Sequence, residues 1–161
     1  MSHEKTKAVA FPVDRNDAEL IRGAHPPHWR NPDPTGPYNL VVIGAGPAGL
    51  TAAREAAGLG AKVALIERSL IGGVCINVGC IPSKAVIRTV RLYADMRDAG
   101  NFGGDTPKHV RVDFQRAMTR MRQIRQRISR ADSAESLASG GIDLYFGEAR
   151  FSGPESIRVG G

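Results

Sequence analysis

The sequence predicts an α/β domain with a parallel, Rossmann-like sheet, incomplete at its C-terminus, and three neighbouring observations carry that prediction. The run Asn39-Leu40-Val41-Val42-Ile43 is apolar and β-branched, as a buried strand should be. Gly44-Ala45-Gly46-Pro47-Ala48-Gly49 follows it and opens an alanine-rich helical stretch, Leu50 to Ala57, which Gly58 and Gly60 end. Ala61 to Ile66 is a second strand that ends at Glu67. Strand, glycine turn, helix and strand make one βαβ unit, which requires parallel strands and a right-handed crossover.

The remaining elements are read in chain order. Residues 1–37 are polar and rich in proline around His25, His28 and Trp29, so this part is expected to be an irregular arm. The domain is expected to occupy residues 38–161. After Gly72 to Lys84, a helix is expected to continue from Ala85 to about Ala99, and Gly100, Gly103 and Gly104 mark a loop. A long helix should then open on Asp113 as N-cap and run to about Ser139. Phe114, Met118, Met121, Ile124 and Ile128 have the spacing of its buried face. Ile142 to Phe146 reads as a third core strand, and Ala149 to Phe151 with Ser156 to Val159 as a hairpin cut off at Gly161.

A chain of 161 residues, 42% of them hydrophobic, can bury one core. The formal charge of +6 permits an anionic partner without naming one. No run approaches the roughly 20 apolar residues of a membrane span, and the N-terminus lacks the apolar centre of a secretory signal. A cytoplasmic protein with no membrane partner is the expectation.

Gly44, Gly46 and Gly49 form a GxGxxG pattern in the context that gives it meaning, with a strand before and a helix after. Gly44 suits the tight turn, Gly46 admits a pyrophosphate to the backbone, and Gly49 lets helix and strand approach. Pro47 and Ala48 complete the turn, and the helix N-terminus offers amides and a favourable dipole to the anion. Glu67 follows Gly44 at close to the separation of about 20 residues typical of the ribose-binding acid. A carboxylate accepts from a 2′-hydroxyl and repels a 2′-phosphate, which favours FAD or NAD over NADP.

The chain's two cysteines lie in Gly72-Gly73-Val74-Cys75-Ile76-Asn77-Val78-Gly79-Cys80-Ile81-Pro82-Ser83-Lys84. In a regular helix, residues five apart have Cα atoms roughly 8.6 Å apart, whereas a disulfide needs about 4.4 to 6.8 Å. Cys75 and Cys80 can therefore bridge only across distorted backbone, for which Gly79 is suited, and the helix should become regular close to Cys80. A thiolate at Cys80 would gain from that helix N-terminus. Lys84 shares its face one turn on, and Pro82 fits the first turn. A structural disulfide, two buried thiols, and a zinc site completed by His25 and His28 are the competing readings. No metal site is assigned, because zinc would need four ligands.

With these residues set out, the segment Gly72 to Lys84 resembles the active-site signature of the class I pyridine nucleotide-disulfide oxidoreductases. Within that family, Ile81-Pro82-Ser83-Lys84 is most similar to dihydrolipoyl dehydrogenases and mercuric-reductase-like proteins. The resemblance runs from about Tyr38 to Gly161 and implies the N-terminal, FAD-binding part of such an enzyme. It implies FAD at Gly44, Gly46, Pro47, Ala48, Gly49 and Glu67, with Arg68 beside the adenosine. It also implies Gly73, Val74, Cys75, Gly79, Cys80 and Lys84 near the flavin, and Gly147 and Ala149 at the adenine end.

Cys75 would be the interchange thiol that attacks substrate, Cys80 the thiolate against the flavin, and Lys84 a charge near its ring. The complete enzyme would pass electrons from NAD(P)H through FAD to the Cys75/Cys80 disulfide, then to a small thiol, disulfide or metal-ion substrate, as a homodimer. The family's NAD(P)H domain, second FAD motif, dimerisation domain and His-Pro catalytic base are not matched in these residues. His25-Pro26 is followed five positions later by Arg30 where the family has glutamate. Negligible turnover is therefore expected of the isolated 161 residues.

A non-catalytic FAD-binding fragment or interaction module is the rival reading. Lys108, Arg111, Arg116, Arg120, Arg122, Arg125, Arg127 and Arg130 stand against one acid, Asp113, in residues 108–130. Nucleic acid would be bound with steep salt dependence, but the segment has one aromatic and no binding motif. A solvated face, or one that meets further domains or a partner chain, is the expectation, with no nucleic-acid partner.

Overall fold

The computed structural model describes residues 14–160. Among them, three strands form a fully parallel sheet in the order β1-β2-β3: β1 (Leu40–Ile43), β2 (Val63–Glu67) and β3 (Ile142–Phe146). Leu40 pairs with Val63 and Val63 with Ile142, so the strands start level and end level. The predicted βαβ unit is present, with α2 (Pro47–Gly58) as its crossover. The predicted hairpin is also present, as β4 (Glu148–Gly153) and β5 (Ser156–Gly160), antiparallel.

The twofold alternation of a strand divides β2 and β3 between two cores. Val63 and Leu65 of β2, with Ile142, Leu144 and Phe146 of β3, face a helical layer that includes Leu50 and Ala53 of α2. Ala64, Ile66 and Tyr145 face the other way and are covered by Tyr38, Ala149, Ile157 and Val159, partly from the hairpin. The Tyr38 hydroxyl donates to Asp143 Oδ2 at 2.7 Å and lies 2.6 Å from the Tyr145 hydroxyl, which seals that layer. No helix among the described residues is long and apolar enough to cross a membrane.

The expectation of an irregular arm does not hold for Arg15–Ala24, which form helix α1. Asp14 caps it by accepting from the Asp17 amide at 3.0 Å, and Leu20 and Ala24 enter the main core beside Leu65. The cue was masked because α1 also buries an acid, Asp17, on its apolar side. Residues 25–31 reach β3: Trp29 donates to the Leu144 carbonyl at 3.2 Å, and Asn31 both donates to and accepts from the Phe146 backbone at 2.8 Å. His25 stacks on Phe146 with ring centres 4.0 Å apart, and its Nδ1 is 2.6 Å from the Ser69 carbonyl. Residues 1–13 of the expected arm, and Gly161, fall outside the described residues.

The long basic helix also needs correction. It opens on Asp113 as expected, the carboxylate accepting from the Arg116 amide at 2.9 Å, but ends at Ala131 as α5 (Phe114–Ala131). Ser133 caps a separate short helix, α6 (Ala134–Ser139). The expected apolar face is buried only in part: Met121 is buried and Met118, Ile124 and Ile128 are half-buried. Phe114 is 70% exposed, and the buried residues are Met121, Arg125, Gln126 and Ser129.

Helix α5 turns charge, not hydrocarbon, toward α1. Arg125 is ion-paired with Asp17, and Arg122 lies 3.4 Å from Asp14 and 3.7 Å from Asp17. Arg130 and Gln126 both donate to Glu19, at 3.2 and 2.9 Å. The guanidinium groups of Arg15 and then Arg130 hold the Glu19 carboxyl below its ordinary value. Arg122 and Arg125 therefore face acids of the N-terminal segment instead of solvent, while Arg130 pairs with Glu19 from an exposed position.

Candidate functional site

Because the three parallel strands end level, the loops that leave them meet at one edge, the place where open α/β sheets bind ligands. Gly44 donates to the Ile66 carbonyl at 2.7 Å, and Gly147 donates to the Glu67 carbonyl at 3.0 Å. Glu67 is buried at the end of β2. One of its oxygens accepts from the Ala45 amide and the other from the Ser69 amide, each at 2.8 Å. The acid that sequence spacing singles out is thus bound to the glycine turn itself. Arg68, next to it, is exposed.

Gly46 is the N-cap of α2 and Pro47 its first residue. No side chain caps this end, and no acid lies in the first turn. The hydrogen of Gly46 that a Cβ would replace faces open space, with no heavy atom within 4 Å, whereas a Cβ at Gly49 would lie 2.0 Å from the Gly44 carbonyl oxygen. The turn is closed beneath and open above. An uncapped helix end with free space before it suits a pyrophosphate, so the residues present fit a dinucleotide.

The cysteine segment is joined to this turn through backbone. Gly72 donates to the Ala45 carbonyl at 2.7 Å. A Cβ on Gly73, which has φ 55°, would lie 3.0 Å from the Gly46 Cα. Glycine at 73 therefore brings the thiols beside the dinucleotide turn. Ala149, by contrast, packs its side chain on the hairpin face of the sheet, so only the backbone of Gly147 to Ala149 belongs to this edge.

The predicted helix distortion lies between the cysteines. Helix α3 (Gly73–Asn77) carries Val74 and Cys75, the chain breaks at Val78 and Gly79, and α4 (Cys80–Asp98) starts at Cys80. The amides of Val78 and Gly79 both donate to the Val74 carbonyl, at 3.0 and 2.7 Å, so the chain turns back on itself. A Cβ at position 79 would sit 2.9 Å from that carbonyl oxygen, which explains the glycine there.

Both thiols are unbridged. Cys75 is half-buried and Cys80 exposed at the N-terminus of α4. The Cys75 thiol is hydrogen-bonded to Cys80, and that bond, with a smaller effect of burial, pushes it above its ordinary pKa. Cys80 stands at the N-terminal end of α4, where the helix dipole favours negative charge. Lys84 stands exposed one turn along α4, and Pro82 occupies the first turn as expected.

Asn77 is the residue that sequence reasoning passed over. Its side-chain amide donates to the carbonyls of Leu70, Ile71 and Gly73, at 3.4, 3.1 and 2.8 Å. The Asn77 backbone carbonyl accepts from Arg125 of α5 at 2.8 Å. A polar residue between two cysteines that ends up buried was the available signal. A separate groove of about 370 Å³ between α4 and α5, lined by Arg88, Tyr93, Arg111 and Arg116 among others, includes none of the predicted site residues.

Residues 38–157 match the family described as pyridine nucleotide-disulphide oxidoreductase. A dihydrolipoyl dehydrogenase of Bacillus subtilis (strain 168) is 37% identical over 73% of this chain and 24% of its own length. One from Acholeplasma laidlawii is 32% identical over 77% of this chain and 37% of its own. Among solved structures, the Cu(II) complex of the HOCl-induced flavoprotein disulfide reductase RclA from Escherichia coli has TM-score 0.59 and 33% identity. That match covers 75% of this chain and 24% of RclA. The chain thus spans between a quarter and two-fifths of the length of these relatives.

Proposed function

The chain belongs to the pyridine nucleotide-disulphide oxidoreductase family, and from that premise we propose that it forms the flavin and disulfide half of an NAD(P)H-dependent disulfide oxidoreductase. The observation that carries this reading is the contact of the Cys75 and Cys80 thiols across a helix break, one glycine contact from the dinucleotide turn.

In this reading the edge formed by Gly44, Gly46, Pro47, Ala48, Gly49 and Glu67 holds FAD. The amides at the start of α2 take its pyrophosphate. Gly147 and the backbone to Ala149 border the adenine end, with Arg68 beside the adenosine. Gly73, Val74 and Gly79 shape the wall that carries the thiols. Bound FAD would supply a two-electron carrier between a nicotinamide and the thiol pair.

The chain's own residues then do the following. Cys80, at the helix N-terminus, holds the thiolate, and Lys84 adds a positive charge on the same side. Cys75 keeps its proton until substrate arrives, then attacks a substrate disulfide as thiolate. Cys80 displaces it, leaving the Cys75–Cys80 disulfide and a substrate released as two thiols. Two electrons leave the protein; one released thiol takes the Cys75 proton and the other takes a proton from solvent, because Cys80 starts as a thiolate. A small disulfide or dithiol is the first substrate class. A metal ion is the second, favoured by the likeness to a flavoprotein disulfide reductase solved as its Cu(II) complex. NAD(P)H binding and a homodimer belong to the longer enzyme, so the 161 residues alone should turn over NAD(P)H negligibly.

Purified chain should retain FAD, and anaerobic titration with dithionite should raise a long-wavelength band from the Cys80 thiolate against flavin. Cys80→Ser should remove that band. FAD retained without any band would leave a non-catalytic flavin module, and no FAD retained at all would overturn the reading.

A further inference from the structure

Asp17 lies outside the region that matches the family, yet it is 1% exposed and ion-paired with Arg125, itself 4% exposed. The Arg125 guanidinium has two faces of contact. One nitrogen donates to Asp17, and the other donates to the carbonyl of Asn77 at 2.8 Å. Asn77 ends α3, two residues past Cys75 and three before Cys80.

We infer that Asp17 is a positioning residue for the cysteine pair: by neutralising buried Arg125, it fixes the Asn77 carbonyl and so the backbone turn that holds Cys75 against Cys80. The inference rests on reading these cysteines as a redox pair.

The carbonyl of Asn77 is where such control has most leverage. The Val74 carbonyl already accepts from both Val78 and Gly79, and α4 begins with the Ser83 amide on the Gly79 carbonyl. Neither helix ladder therefore uses the Asn77 carbonyl, and its direction sets how the chain turns between the thiols. The Asn77 side chain is fastened to Leu70, Ile71 and Gly73, so the residue is anchored on one side by its own amide and on the other by Arg125. A buried guanidinium keeps this position only while a carboxylate balances it. Arg122, 3.7 Å from the second oxygen of Asp17, holds that carboxylate in place.

The test reads the thiol–disulfide equilibrium and needs no flavin. In a dithiothreitol redox buffer, Cys75 and Cys80 give up two electrons and two protons and form a disulfide. Oxidised dithiothreitol takes both and opens to its dithiol. Asp17→Asn should lower the equilibrium constant for forming the Cys75–Cys80 disulfide by roughly three- to thirtyfold, the range typical of coupling carried through a packed network. Asp17→Glu should return it to about the parent value. Arg54→Ala, which breaks the exposed Arg54–Asp132 pair between α2 and the end of α5, should leave it unchanged. Should Asp17→Asn not fold, Arg125→Lys makes the same test, because an ammonium lacks the planar fork that reaches both partners.

A parent-like constant in the folded variant, or an equal shift in Arg54→Ala, would overturn the inference. FAD binding measured on the same preparations separates this outcome from failure of the proposed function. An unshifted equilibrium in a variant that retains flavin strikes the positioning role alone, and lost flavin in the parent strikes the other reading alone.

Discussion

The strand-end site and the contact between α1 and α5 are built from opposite materials. At the strand ends the bonds are made by backbone and by the single Glu67 carboxyl, and several side chains that matter are those missing at Gly46, Gly49 and Gly73. Between the helices the bonds are made by long charged side chains, with Arg122, Arg125 and Arg130 against Asp14, Asp17 and Glu19. The first arrangement leaves donors open for an anion. The second leaves a charge buried and intolerant of losing its partner. A binding edge gains from unsatisfied amides, whereas a buried helix contact is held by setting opposite charges against each other.

Asp17→Ala should expose that contrast most strongly. It strands Arg125 without its carboxylate, and loss of about 3–5 kcal/mol is expected, as for breaking a buried ion pair from one side. Chemical denaturation would measure it. A cost near zero would mean that water enters between α1 and α5 and that the two regions do not differ in kind.

Gly49→Ala tests the other region. The new methyl would meet the Gly44 carbonyl oxygen at 2.0 Å, and overpacking of this sort costs typically about 1–3 kcal/mol. Its signature should be disproportionate: flavin retention is lost while most of the fold, seen by circular dichroism, survives. Equal loss of both would show that the turn supports the fold as much as it supports binding.

The smallest effect on stability is expected from Cys80→Ala. The hydrogen bond to Cys80 is the main reason the Cys75 thiol stands above its ordinary pKa. Removing that sulfur should lower the pH at which Cys75 ionises, read by thiolate absorbance in the ultraviolet. An unchanged titration would assign the shift to burial instead.

The same contrast explains what the amino-acid order disclosed. The glycine turn, Glu67, the break at Gly79 and the helix start at Cys80 are local, and backbone geometry permits few residues at each, so their spacing carried information. The ion pairs did not announce themselves. Asp17 and Arg125 stand far apart in the chain, and nothing in a run of eight basic residues marks which of them will be buried. The apolar stripe of α5 was read correctly at Met121, but Phe114 ended exposed, and Arg125 took a buried place because α1 offers it a carboxylate. The helix in the arm was hidden for the same reason, since its inward face carries the matching acid.

Asn31 has a consequence beyond the packing of its segment. By both giving to and taking from the backbone of Phe146, with Trp29 on the Leu144 carbonyl, it imitates one rung of an added strand. An open strand margin is a template on which other chains aggregate. Here Asn31 fills that rung with a side chain that cannot extend it, so the stretch before β1 blocks another chain from pairing at the C-terminal end of β3.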